Sequence, residues 1–298
     1  MSALIAPGFF SSGPVHTALI VGTAVAVISG PLGVFTVIRG QAFAGEALGD
    51  IGTTGGSGAF LAGVGPVWGF LVINVVAAAL MELVGIQRRR GRDLATGIVL
   101  GAGLGLAALF LYLDTTVHNT TGAAVTILFG SVFSIASSSV PIVVVLAIGV
   151  LVLMAVAARP LLLASASPEL AAARGVPVRL VGFGYLLALA LSVALCALTI
   201  GAILSTALLV GPAAAALRFS RRPGAAVATA SLLGVLATWL GILLAYDSYD
   251  WPPRHQGWPV SFFVVTAVFA AYVLSGVAAH RSRHRVRTAD PGPAVSAG

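Results

Sequence analysis

Lysine is absent from this chain, and charge of either sign is scarce: 8% of its 298 residues are charged, against roughly 25% in soluble domains. That excludes a water-soluble globular enzyme. The single cysteine, Cys196, lies in an apolar run. It excludes an internal disulfide and a metal site built from several cysteines. There is no GxxxxGK[ST] phosphate loop, no HExxH and no acid–His–Ser set at matched depth, so no catalytic constellation is visible. The chain cannot hydrolyse ATP by itself and is not expected to be an enzyme. What is plentiful is apolar: 58% hydrophobic residues and 36 glycines, with a mean hydropathy of +1.05. Glycine lets helices approach closely in lipid. The composition predicts an all-α, polytopic transmembrane helix bundle.

All 16 basic residues are arginines, and the formal net charge is +7. In a soluble protein this would point to nucleic acid; here the placement fits membrane topology, and no nucleic-acid partner is expected. The apolar runs predict nine spans, near 15–38, 41–62, 67–86, 94–113, 140–158, 178–199, 202–219, 224–245 and 258–279. Residues 123–136 read as a short helix that dips into the outer face, set off by Ser137, Ser138, Ser139 and Pro141. Arg159-Pro160 is expected to end the span before 160–177. Within that stretch Ser167 or Pro168 can start a short helix, and Gly175 and Pro177 can stop it. Residues 1–279 form one membrane domain, and 280–298 a basic, disordered tail. No cleavable leader is expected, because residues 1–14 lack a positive segment and the first apolar run is too long.

Orientation follows from the arginines. With the cluster Arg88, Arg89, Arg90 and Arg92 placed inside, fifteen of the sixteen fall on the cytoplasmic side and only Arg254 falls outside. This predicts a multi-pass protein of the cytoplasmic membrane, N-terminus outside and C-terminus inside.

Against this background Glu46 and Asp50 stand out, two carboxylates four residues apart in the least hydrophobic span. On a helix they share one face. Each costs about 2.5–3.5 kcal/mol at membrane depth, so intramembrane acids mark a pathway or a binding site. The plainer reading is a pair of buried acids bonded to backbone or to Arg39. The spacing suits two oxygen ligands for one divalent ion, and two ligands do not complete a site.

Four stretches resemble the membrane-spanning permeases of bacterial ABC importers for divalent metals, the zinc/manganese/iron uptake group. Gly45-Glu46-Ala47-Leu48-Gly49-Asp50 is similar to the family's second helix, of the form GDALSHAxLPG. Leu128-Phe129-Gly130-Ser131 is similar to its LFG element. Ser167-Pro168-Glu169-Leu170-Ala171, with Arg174-Gly175-Val176, resembles its cytoplasmic coupling segment DPELAxxxG. Residues 201–214, GAILSTALLVGPAA, resemble its GxLLVxALLxxPAA helix. The resemblance implies a homodimeric permease, a separate cytoplasmic ATPase that binds the ATP, and an extracytoplasmic metal-binding protein. It implies an outer gate at Glu46 and Asp50, with the helices of both copies facing each other in the outer half of the membrane. It implies docking on the ATPase at about 165–176, through Ser167, Pro168, Glu169, Leu170, Arg174 and Gly175. The chain itself binds no cofactor on this reading; the divalent metal is cargo.

Two departures bear on the metal. Asp50 replaces the family's histidine and Thr54 its usual proline. Imidazole favours zinc, whereas carboxylates suit harder ions such as manganese. Ser167, where the family often has aspartate, is still a good N-cap. Pro212 is expected to kink its helix. Other polar residues have plainer readings. Glu82 snorkels towards the Arg88 cluster. Asn74 is helix–helix glue. Asp114 and His118, four apart at the outer end of a helix, are compatible with a metal, and a solvated loop is the plainer reading. Asp247, Asp250 and His255 flank an interfacial belt at Trp251 and Trp258, or else a docking surface. His280 and His284 belong to a basic, lipid-facing tail. The alternatives of another class are a secondary transporter, for which no inverted repeat is visible, and a scaffold that tolerates loss of both acids.

Overall fold

The structure is a computed structural model. It describes Phe9 and residues 12–84, 92–117, 121–130, 132–202, 204–220, 222–251 and 257–289. The expectations for Arg88 to Arg90, His118, Arg254, His255 and the end of the tail lie outside the described residues. Among those described there are eleven α-helices and no strand.

Helix α1 (Gly13–Arg39) passes through a buried Pro31 and ends at Gly40, whose φ is +62°. It is followed at once by α2 (Ala42–Leu61), α3 (Pro66–Val84) and α4 (Arg92–Val117). A short α5 (Thr121–Phe129) precedes single 3-10 turns at Val132–Ser134 and Ser137–Ser139. Then come α6 (Val140–Ala166), α7 (Pro168–Ala173), α8 (Val178–Ile200), α9 (Ser205–Phe219), α10 (Pro223–Asp247) and α11 (Val260–Ala289). Seven of these helices are long and apolar enough to cross a membrane: α1, α3, α4, α6, α8, α10 and α11. Helix α2 is long enough but less apolar, and α9, with 15 residues, is short.

The short helix between α4 and α6 does dip and return. Val132 packs with Phe9, Val15, Ala18 and Ile242. Phe9 precedes α1, Val15 and Ala18 lie at its start and Ile242 near the end of α10, so the turn that begins at Val132 is back at that end. Helix α6 starts there and finishes at the other end, where Ser165 meets Arg39.

Three expectations are corrected. Arg159-Pro160 does not end a helix: α6 continues through Pro160 to Ala166. Proline removes one hydrogen bond, but Leu161 and Ala164 beyond it are buried and hold the next turn in place. Asp114 is not in a solvated loop; it lies within α4 and is buried. Helix α11 runs on to Ala289, through residues expected to be a tail. No Gly or Pro interrupts the sequence from Val277 until Pro291, and such a segment can propagate an existing helix.

Candidate transport site

The chain turns from α1 into α2 over two residues. Gly40 N–H donates to the Val37 carbonyl at 3.2 Å and Gln41 N–H to the Thr36 carbonyl at 2.9 Å. This is the closure a glycine in the left-handed region provides. Helix α2 then enters the centre of the bundle, packed against α3, α4, α5, α8 and α9. Thirteen of its twenty residues are buried. Glycine makes that depth possible: a Cβ on Gly55 would lie 2.1 Å from the Gly69 carbonyl of α3, and one on Gly69 would lie 2.0 Å from the Gly55 carbonyl.

The hydroxyls of α2 are spent on backbone. Thr54 Oγ1 donates to the Gly103 carbonyl at 2.6 Å and Ser57 Oγ to the Thr53 carbonyl at 2.7 Å. Its carboxylates are placed differently. Ala42, Phe43 and Glu46 are exposed and Asp50 is half-buried, a single stripe over the first two turns and more. Beside this stripe, about a quarter-turn round the helix, Gly45 faces Leu209 and Gly49 faces Ser205. The two acids therefore share a face, as the spacing predicts, and the face opens at the surface of the chain. No group of three or more His, Cys, Asp or Glu residues suited to a metal occurs among the described residues. Among the described residues this stripe thus carries two carboxylates and no third ligand of these types.

Their position along the bundle follows from how α2 begins. Arg39 Nη1 donates to Ser165 Oγ at 3.2 Å, which fixes the start of α2 at the same end of the bundle as α7. At 1.5 Å per residue, Glu46 and Asp50 lie about 6 and 12 Å into a helix about 30 Å long. They occupy the half nearer α7. The reason is connectivity: a two-residue corner at Arg39 leaves no length in which to carry the acids to the far half.

Helix α7 forms where expected and is shorter, at six residues. Ser167 Oγ accepts from Leu170 N–H at 3.2 Å, an N-cap. Gly175, with φ +78°, closes it, and Val176 N–H donates to the Ala171 carbonyl at 3.0 Å. Pro168, Glu169, Leu170, Arg174 and Gly175 are exposed while Ala171 is buried. Pro212 is buried inside α9, which remains helical across it. Asn74 is fully buried beside Gly52, and its Nδ2 donates to the Phe70 carbonyl at 2.9 Å. Trp251, Trp258 and Phe263 cluster at the α10–α11 connection, with Trp251 6.1 Å from Trp258 and 6.0 Å from Phe263 between ring centroids.

The fold is a helical membrane bundle with two acids on its central helix and a short capped helix at one end. The chain belongs to the ABC 3 transport family, whose pattern matches residues 13–278. It is 28% identical over 246 residues to the manganese transport system membrane protein MntC of Listeria innocua, covering 82% of this chain and 85% of that one. It is 28% identical over 237 residues to the high-affinity zinc uptake system membrane protein ZnuB of Haemophilus influenzae, covering 79% and 90%. Its fold matches the solved structure of PsaBC from Streptococcus pneumoniae in complex with Fab, with a TM-score of 0.75 at 23% identity, over 90% of this chain and 92% of that one.

Proposed function

We propose that this chain is the permease subunit of an ATP-driven importer that carries a divalent transition metal ion across the cytoplasmic membrane, manganese before zinc or iron. The observation that carries the reading is the carboxylate stripe. Two acids on a membrane-embedded helix open at the surface of a single copy, where a second copy can supply the missing ligands. Four carboxylate groups around a two-fold axis make an all-oxygen site, which favours manganese over zinc. The relatives named for manganese and zinc transport support the cargo class.

The metal arrives from an extracytoplasmic binding protein and passes between the α2 helices of a homodimer. ATP is bound and hydrolysed on a separate ATPase subunit. The exposed face of α7, with Pro168, Glu169, Leu170 and Arg174, docks on that subunit, and its displacement switches access to the site. Because the acids lie in the half nearer α7, they form an inner station on the route and not its outer mouth.

The test is whole-cell metal content by elemental analysis. Cells lacking their own high-affinity uptake express the chain with its ATPase and binding protein. Expected is a rise in manganese that the Glu46→Ala, Asp50→Ala double variant loses, a drop of about tenfold or more with the complex still assembled. Equal accumulation by the double variant removes the carboxylates from the route. No rise in any divalent metal from an assembled wild-type complex overturns the cargo.

A further inference from the structure

Arg39 joins α1 to three other helices at the end of the bundle that carries α7. It is the last residue of α1. Its Nε donates to Gln41 Oε1 at 3.1 Å and its Nη1 to Ser165 Oγ at 3.2 Å. The guanidinium carbon lies 5.0 Å from the centre of the Tyr185 ring.

Each of these contacts is itself held. Gln41 is buried and occupies the N-cap position of α2. Ser165, in the last turn of α6, donates to the Leu161 carbonyl at 2.6 Å. It stands two residues before Ser167, the N-cap of α7. Tyr185 of α8 is 1% exposed, and its hydroxyl is hydrogen-bonded to Thr36 Oγ1 at 2.7 Å. Helix α7 packs on α6 and α8, and Arg39 touches both of those helices as well as the start of α2.

We propose that Arg39 is the positioning residue that transmits movement of α7 to the carboxylate helix. The inference rests on the reading above of α7 as the ATPase contact and of Glu46 and Asp50 as the metal station. A shift of the α6–α7 junction moves Ser165. The guanidinium, bonded at the same time to Ser165 and Gln41, passes that shift to the N-cap of α2. Glu46 follows five residues later. Helix α2 is interlocked with α3 backbone to backbone at Gly55 and Gly69, so it answers as a body and does not absorb the shift by bending.

The chemistry of arginine makes this testable. A planar fork holds two acceptors in fixed directions and stacks on an aromatic ring; a lysine ammonium does neither. Lysine does keep the positive charge, with its value for topology and for the C-terminal end of α1. Arg39→Lys therefore removes the linkage and spares the charge.

The experiment uses the full complex in lipid nanodiscs. Manganese-stimulated ATP hydrolysis and the affinity for Mn2+ alone are measured on the same preparation. For Arg39→Lys, stimulated hydrolysis falls about fivefold while Mn2+ affinity stays within about twofold of wild type. The pair Gln41→Met with Ser165→Ala keeps the arginine and removes both hydrogen-bond partners. It lowers stimulation in the same way, and adding Arg39→Lys to it brings no further loss, as groups in one network behave.

Wild-type stimulation in Arg39→Lys sinks the proposal, with the transport reading intact. So does a loss of Mn2+ affinity in step with hydrolysis, which makes Arg39 a strut of the metal station and not a transmitter. Where Arg39→Lys fails to assemble, the Gln41/Ser165 pair decides alone, and normal stimulation there is a refutation. A wild-type complex that binds no divalent metal brings down the transport reading and this inference with it.

Discussion

Helix α6 is the most apolar of the candidate spans, while α2 falls short of their hydropathy. Yet the bundle buries α2. Thirteen of its twenty residues are inside, against six of the twenty-seven of α6. In water the more apolar helix would be the inner one. In lipid, hydrocarbon is as good a neighbour as leucine, so apolar side chains gain little from each other. Close packing of small residues and hydrogen bonds between helices decide the centre instead. Val145, Ile148, Val152 and Val156 of α6 are accordingly exposed. Glycines, threonines and serine of α2 are inside, with their hydroxyls bonded to backbone. A long helix that falls short of the hydropathy of a span is the one that carries the candidate site.

The sharpest way to break this contrast is a side chain at the α2–α3 crossing. Gly55→Leu puts its Cβ 2.1 Å from a backbone carbonyl that has nowhere to move. Overpacking against backbone costs about 3 kcal/mol or more. The variant is expected to lose monodisperse purification altogether. Size-exclusion chromatography in detergent reads the outcome, and a well-behaved Gly55→Leu protein shows that the two helices do not pack backbone to backbone.

The same contrast explains what the sequence could tell. Span positions were legible because apolar runs, arginines and turn residues mark them, and the structure meets most expected boundaries within a few residues. The Ser167 cap and the Gly175 stop of α7 were legible because capping is a local event. Pro160 misled because a helix continues through proline where later residues are packed, and Leu161 and Ala164 have no local signature of that packing. Asp114 misled for a like reason, as a polar residue near a span end reads as loop until its burial is known. The shared face of Glu46 and Asp50 followed from the four-residue spacing. Their distance from α7 rests on a second local feature, the two-residue corner after Arg39 at which the helix begins. The Arg39 linkage left no trace in the sequence beyond a topology marker. Its partners Ser165 and Tyr185 lie 126 and 146 residues away along the chain.

On the proposed reading, helix α6 acts through the end it presents to α7 and not along its shaft. Glu169→Arg tests this. Glu169 is exposed in the first turn of α7, where an acid also suits the helix N-terminus. Reversing its charge is expected to weaken binding to the ATPase subunit by about 1–2 kcal/mol, or roughly five- to thirtyfold, without changing the stability of the permease alone. Co-purification at increasing salt and ATP hydrolysis by the complex are the readouts. Full retention of both returns α7 to a helix lying on the membrane surface.

The smallest effect belongs to the shaft. Val152 is 58% and Val156 75% exposed, and both sit on the exposed side of a helix that buries other residues. Val152→Leu with Val156→Leu adds apolar bulk where nothing packs, so the change in stability is within about 0.5 kcal/mol, as for surface positions elsewhere. Thermal unfolding in detergent and metal uptake in cells should both match wild type. A large loss of uptake with normal thermal stability would place this face against the second copy of the chain. The dimer axis would then run along α6, and the carboxylate stripe of α2 would have to reach its partner ligands by some other route. Near-neutrality, beside the collapse expected at Gly55, shows that burial in this bundle follows small residues and not hydropathy.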